Sequence, residues 1–202
     1  MQDWNGNKAS AKSMLGVNYK TNSTADREQN DYYATDPLAV RLLCQKLKLP
    51  HTVWECACGA GHLSEELIKQ GYSVYSSDLI DRGYGQSGVD FLKTTEMPHG
   101  CTCILTNPPY KYANEFILHA LDLLPLGGVL ACLLNLNYLS GITRFNTIYK
   151  NNPPACVYVF AGRVKCAKNG DFSQQIGNAI NYAWFVWVKG NRFATQIDWI
   201  EI

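Results

Sequence analysis

Short apolar runs and helix-length segments alternate along most of this chain. "TVWECA" leads through a glycine turn into "HLSEELIKQG", and "YSVYSSD" follows. "CTCILTN" precedes a helical pattern at 112–124, and "VLACLLNL" precedes "ITRFNTIYK". Apolar runs of this length without polar alternation belong to strands buried on both faces. Such strands, with helices between them, predict an α/β fold: a mostly parallel sheet with helices on both faces. The last two runs, "CVYVFAG" and "YAWFVWVKG", have no clear helix between them, which predicts an antiparallel pair at one edge. Upstream, "DYYATDPLAVRLLCQKL" reads as a helix with Thr35 or Asp36 as its cap and Pro37 in its first turn. Leu38, Leu42, Leu43 and Leu47 would form its apolar face.

The chain has 202 residues, enough for one α/β domain over 31–202 and short for two. Residues 1–30 are polar, without a sustained apolar period, and read as an arm, either disordered or folded over the rest as a lid. Hydrophobic residues make up 47% and charged residues 17%, which requires a large apolar interior. A formal net charge of +1 excludes a strongly basic coat but leaves room for a local basic surface. No run is long and apolar enough to span a bilayer, and "MQDWNGNKASAKS" lacks an apolar signal core, so a cytoplasmic, non-membrane chain is expected. Of the eight cysteines, several lie inside strand-like runs, where cysteine packs as a small hydrophobe. The C-x-C pairs Cys56/Cys58 and Cys101/Cys103 lack the further spaced ligands of a zinc site, so no metal is expected.

"ECACGAGHL" places Gly59 and Gly61 between the first of these strands and its helix. Glycines there let backbone N–H groups approach a ligand at a helix N-terminus, although they also serve an ordinary strand-to-helix turn. The dinucleotide pattern G-x-G-x-x-G is incomplete, because its third position is Ser64. Asp78 follows Gly59 by nineteen residues, close to the interval at which an acid meets ribose hydroxyls; a turn aspartate is the alternative. Glu55, ahead of the glycines, would repel phosphate but would welcome an ammonium group. That chemistry favours S-adenosylmethionine over a dinucleotide. Asp90 and Phe91 in "GVDFL" suit an adenine, one accepting from its amine and the other packing on its ring.

"TNPPYKY" ends the next strand. Proline cannot donate to a sheet ladder and pushes the preceding residue out of helical geometry, so the strand stops at Asn107 in a stiff turn. The turn presents the Asn107 amide, the prolyl carbonyls of Pro108 and Pro109, and the Tyr110 ring.

Taken in this order, the motifs resemble the S-adenosylmethionine-dependent adenine-N6 methyltransferases, and small phage or prophage-type members most. The resemblance covers roughly residues 31–190 and implies a Rossmann-like class I methyltransferase fold with a mostly parallel seven-stranded sheet. It rests on "NPPY", "ECACGAG", Asp78, "DF" and "YATDP". It assigns Tyr33 and Thr35 to the edge of the cofactor pocket, and Glu55, Cys56, Gly59 and Gly61 to its methionine end. Asp78 and Leu79 would meet the ribose, and Asp90 and Phe91 the adenine of the cofactor. Asn107 and Pro108 would accept from the substrate amine while Tyr110 stacks on the base. Arg144, Arg163 and Lys165 are candidate substrate contacts, the last two in a stretch, "GRVKCAKNGDFSQQIGN", that reads equally as a solvated loop. No insertion is large enough for a separate target-recognition domain. The implied reaction is methyl transfer by direct in-line attack onto adenine N6 in DNA, with the base flipped out if the substrate is a duplex. RNA adenine and protein-glutamine methyltransferases share the corner motif, and a cofactor-binding protein without catalysis is the rival from another class.

Overall fold

The computed structural model describes residues 33–164, 166–168 and 180–202. The polar arm, Lys165 and most of the stretch after it lie outside the described residues. The strands are β1 (Tyr33–Thr35), β2 (Thr52–Glu55), β3 (Ser73–Ser76), β4 (Cys103–Thr106) and β5 (Val129–Asn135). They continue with β6 (Cys156–Phe160), β7 (Cys166–Lys168), β8 (Tyr182–Val188) and β9 (Gln196–Ile200). The helices are α1 (Leu38–Lys46), α2 (His62–Lys69), α3 (Ala113–Leu123) and the single turn α4 (Ile142–Arg144), which runs on into a π-helical turn, Phe145–Tyr149.

Seven strands form one sheet in the order β3-β2-β4-β5-β8-β6-β9. β2, β3, β4 and β5 are parallel neighbours, and β8 runs antiparallel to both β5 and β6. The mostly parallel sheet with an antiparallel pair on one side is the expected one. β9 adds outside that pair, parallel to β6. The apolar runs are central strands: every residue of β4 is buried, as are five of the seven in β5. Their side chains alternate between two cores. Ile104, Leu130 and Phe185 face α3, whereas Cys103, Leu105, Leu133 and Trp184 face α1 and α2. Trp184 ties the second layer together by donating from Nε1 to the Ala39 carbonyl at 2.9 Å.

α1 differs in detail from the sequence expectation. Thr35 ends β1 rather than capping the helix, and Pro37 holds the cap position, while Asp36 accepts from the Leu38 N–H at 2.9 Å. The buried face is Ala39, Val40 and Leu43, with Leu38, Leu42 and Leu47 only half-buried. Small residues let the helix lie close against the sheet, turning the larger leucines to its flanks.

Two features position the site. β2 has β3 on one side and β4 on the other, so the chain changes direction across the sheet between β2 and β4. Such a reversal opens a crevice beyond the carboxyl ends of the two strands. Separately, β1 and β7 pair antiparallel into a small second sheet, with Thr35 opposite Cys166. No helix among the described residues is long and apolar enough to cross a membrane.

Candidate active site

β4 gives way at Asn107, and Pro108 and Pro109 carry the chain into a short 3-10 turn, Tyr110–Tyr112, that opens α3. Pro109 is extended (φ −57°, ψ 122°), and its carbonyl accepts from the Tyr112 N–H at 2.9 Å. The corner is therefore held at both ends, by the sheet behind it and the helix ahead. Asn107 Nδ2 donates to Thr35 Oγ1 at 2.9 Å, so β1 reaches the corner through one side-chain bond. Tyr110 is half-buried against the core on the α1 side of the sheet. The exposed ring of this turn is Tyr112, with Lys111 Nζ 5.1 Å from its centroid.

At the end of β2, Glu55 is 1% exposed. Ser64, on the first turn of α2, donates to its Oε2, and the Ser64 hydroxyl also lies 2.7 Å from the Ser76 hydroxyl at the end of β3. Burial is the largest influence on the carboxyl and pushes its pKa up to about 8 against the hydrogen bonds from Ser64, with Asp78 adding to the rise. Ser64, the residue in place of a third glycine, is thus the partner of the acid.

The glycine turn is built around another contact. Gly61 has a left-handed backbone (φ +87°), and a Cβ there would lie 2.5 Å from the Tyr84 ring. The missing side chain makes room for Tyr84, which reaches over the turn from the β3–β4 connection. Asp78 fastens the same turn: one carboxylate oxygen accepts from the Gly59 N–H and the other from the Ile80 N–H, each at 2.8 Å. Asp90 accepts from the Leu92 N–H at 3.2 Å and from Lys93 Nζ at 2.9 Å. Lys93 is the larger cause holding its carboxyl below the usual range. Phe91 is buried edge-to-face against Trp54 and His119, 5.2 and 5.1 Å between centroids.

These groups meet in one cavity of about 380 Å³ in the crevice between β2 and β4. Thr35, Glu55, Cys56, Asp78, Leu79, Asp90 and Phe91 line it together with Asn107, Pro108, Pro109 and Tyr110. Gly59 and Gly61 do not line it. Of Tyr33 the backbone in β1 is described. Arg144 lies elsewhere: it folds back onto the Tyr138, Asn137 and Ser140 carbonyls and stacks 4.7 Å from the Tyr138 ring centroid. Arg163 is exposed between β6 and β7 and does not line the cavity. His62, Arg82, Lys111 and Tyr112 line it as well. Of these, Arg82 and Tyr112 carry no sequence signal beyond proximity to the motifs. Among the described residues, no group of three or more His, Cys, Asp or Glu side chains could hold a metal ion.

The volume lies within the roughly 300–1,000 Å³ of small-molecule sites. Its donor set suits a ligand with a cation and hydroxyl groups. The buried Glu55 carboxyl is hydrogen-bonded by the neutral Ser64 hydroxyl, and Asp78 and Asp90 keep lone pairs beyond their bonds to backbone and to Lys93.

No protein-family model and no curated protein sequence matches the chain. Solved structures do. A Listeria monocytogenes protein described as a class I S-adenosylmethionine-dependent methyltransferase is 14% identical, with a TM-score of 0.57 over 87% of this chain and 67% of that one. The methyltransferase subunit of a type I restriction-modification system from Streptococcus thermophilus is 16% identical, with a TM-score of 0.53 over 81% of this chain and 47% of that one. TrmN from Thermus thermophilus is 20% identical, with a TM-score of 0.50 over 76% of this chain and 48% of that one. This chain spans about half the length of the last two. Its fold is the Rossmann-like fold of the class I methyltransferases.

Proposed function

We propose that the chain transfers a methyl group from S-adenosylmethionine to the N6 amine of adenine in DNA. The observation that carries this reading is the shared cavity: the Asn107–Tyr110 corner and the acids Glu55, Asp78 and Asp90 line one space. Bound there, the cofactor supplies an electrophilic methyl group. Glu55 in its ionised form pairs with the amino-acid ammonium. The second lone pairs of Asp78 and Asp90 take ribose hydroxyls and the adenine amine, and Leu79 and Phe91 exclude water from the ring.

Adenine's exocyclic nitrogen is a poor nucleophile because its lone pair is delocalised into the ring. Two acceptors that bind both of its N–H hydrogens favour the tetrahedral geometry that frees the lone pair. Asn107 Oδ1 and the Pro108 carbonyl fill this role, and the two prolines fix the carbonyl's direction before substrate arrives. Tyr110 and Tyr112 supply aromatic surface for the base. No strong base is required, since the proton leaves after the amine has become cationic. The DNA assignment is supported by the corner motif and by the sharing of this fold with a restriction-modification methyltransferase subunit.

The test is transfer of labelled methyl to DNA, RNA and protein by the wild type and by Asn107→Ala. Label recovered as N6-methyladenine in DNA, and lost in the variant, is the expected result. Label in RNA or in protein glutamine instead would replace the substrate.

A further inference from the structure

Two tyrosines line the cavity, and they are held differently. Tyr110 is half-buried against the core on the α1 side, with its hydroxyl buried. Tyr112 is 43% exposed, and its backbone is fixed. Its N–H donates to the Pro109 carbonyl at 2.9 Å, and it holds the cap position of α3. Tyr112 is therefore a ring at the rim of the cavity, on a rigid support.

Lys111 also lines the cavity, and its ammonium lies over the Tyr112 ring, 5.1 Å from the centroid. The lysine is exposed, and no carboxylate among the described residues pairs with it. A cation over an aromatic face is held weakly at an exposed site. A phosphate is a stronger partner, since it offers full charge and oxygen acceptors. Whatever draws the ammonium away also uncovers the ring face that it occupied. Bases stack on such a face, and a phosphodiester chain brings base and phosphate together.

We propose that Lys111 and Tyr112 form a DNA-strand contact at the cavity mouth, in which Lys111 leaves the ring for a backbone phosphate and the uncovered ring stacks on a base of the same strand. The inference rests on the reading of the corner as an adenine site. It gives that site a preference for adenine carried on a phosphate chain over a free nucleoside or a glutamine side chain. A nucleoside or a glutamine must displace the ammonium with nothing to receive it, whereas a DNA strand supplies the receiver.

The experiment follows a fluorescein-labelled single-stranded oligonucleotide, thymidines around one adenine, by anisotropy over a range of salt concentrations. It compares the wild type with Lys111→Met, Lys111→Arg and Tyr112→Leu. Loss of one phosphate contact should lower the slope of log K against log salt by about 0.7 in Lys111→Met, while Lys111→Arg keeps it. Tyr112→Leu should bind roughly 10-fold more weakly with its slope unchanged, because stacking releases no counterions. With methyl transfer as the second readout, kcat/KM of Lys111→Met should fall roughly 10-fold for the oligonucleotide and stay level for adenosine. A wild-type slope in Lys111→Met, full affinity in Tyr112→Leu, or equal losses on oligonucleotide and adenosine would overturn the proposal. Should the wild type methylate no acceptor, the functional reading fails, and the salt slopes still decide whether Lys111 meets a phosphate.

Discussion

Glu55 carries the sharpest consequence of the site's electrostatics. Its carboxyl is sealed at the end of β2 with a folded pKa pushed up to about 8 by burial, above its ordinary 4.5. Between those values the folded chain holds a proton that the unfolded chain has released. Stability therefore falls as pH rises from about 4.5 to about 8 and levels off above. Glu55→Gln removes this slope, and melting temperatures measured across that range should show the variant gaining on the wild type as pH increases. A cationic ligand favours the ionised carboxyl, so cofactor affinity in the wild type should rise with pH through the same window. Calorimetry in buffers of different ionisation enthalpy should detect proton release on binding, absent in Glu55→Gln. Affinity that is flat with pH in the wild type would show that Glu55 does not meet the cation. Much of this was legible from residues alone. An acid ahead of two glycines calls for a cationic partner, and Asn-Pro-Pro can only end a strand. Ser64 was not legible as the partner of Glu55, because its place in the motif reads as a missing glycine.

At the scale of elements, the glycine turn shows a packing demand that its motif did not reveal. The two glycines open α2, as the sequence implies, and Gly61 makes room for the Tyr84 ring. Gly61→Ala meets two obstacles, a left-handed backbone and an aromatic ring. The backbone part alone should cost about 1–2 kcal/mol in denaturant unfolding. Tyr84→Ala removes the steric part, so Gly61→Ala should be less costly in that background than in the wild type; equal costs would mean the ring moves aside freely. Tyr84 gave no signal because its contact spans the β3–β4 connection, which has no apolar period. β1 and β7 escaped notice for a related reason. Three-residue strands such as "YAT" and "CAK" have no pattern of their own, and only pairing across the chain makes them strands. The apolar runs of β4, β5 and β8 announced themselves because both faces of each are buried. Trp184 on β8 marks how firmly that sheet is joined to α1. Trp184→Phe deletes the bond to the Ala39 carbonyl along with part of the ring, and should lower stability by roughly 2 kcal/mol in thermal or denaturant unfolding.

For the molecule as a whole, the order of strands explains why so many distant residues meet. The reversal between β2 and β4 opens the sheet at its carboxyl ends, so Glu55 and Asn107 arrive at one crevice. β1, from the other end of the sequence, closes it from behind with Thr35. The basic candidates outside this crevice have other surroundings. Arg144 is occupied by the carbonyls after β5, a local use that the residue type alone could not reveal. Of the cations that line the cavity, Arg82 stands in no motif and Lys111 directly follows the Asn107–Tyr110 corner. The central claim is that the crevice joins a methyl donor to an exocyclic amine through the Asn107 corner. The most direct test is a single-turnover measurement with labelled S-adenosylmethionine and adenine-containing DNA, comparing the wild type with Asn107→Ala after confirming equal cofactor affinity. The account predicts N6-methyladenine from the wild type and a rate at least about 100-fold lower from the variant. Equal rates from the two proteins would contradict it.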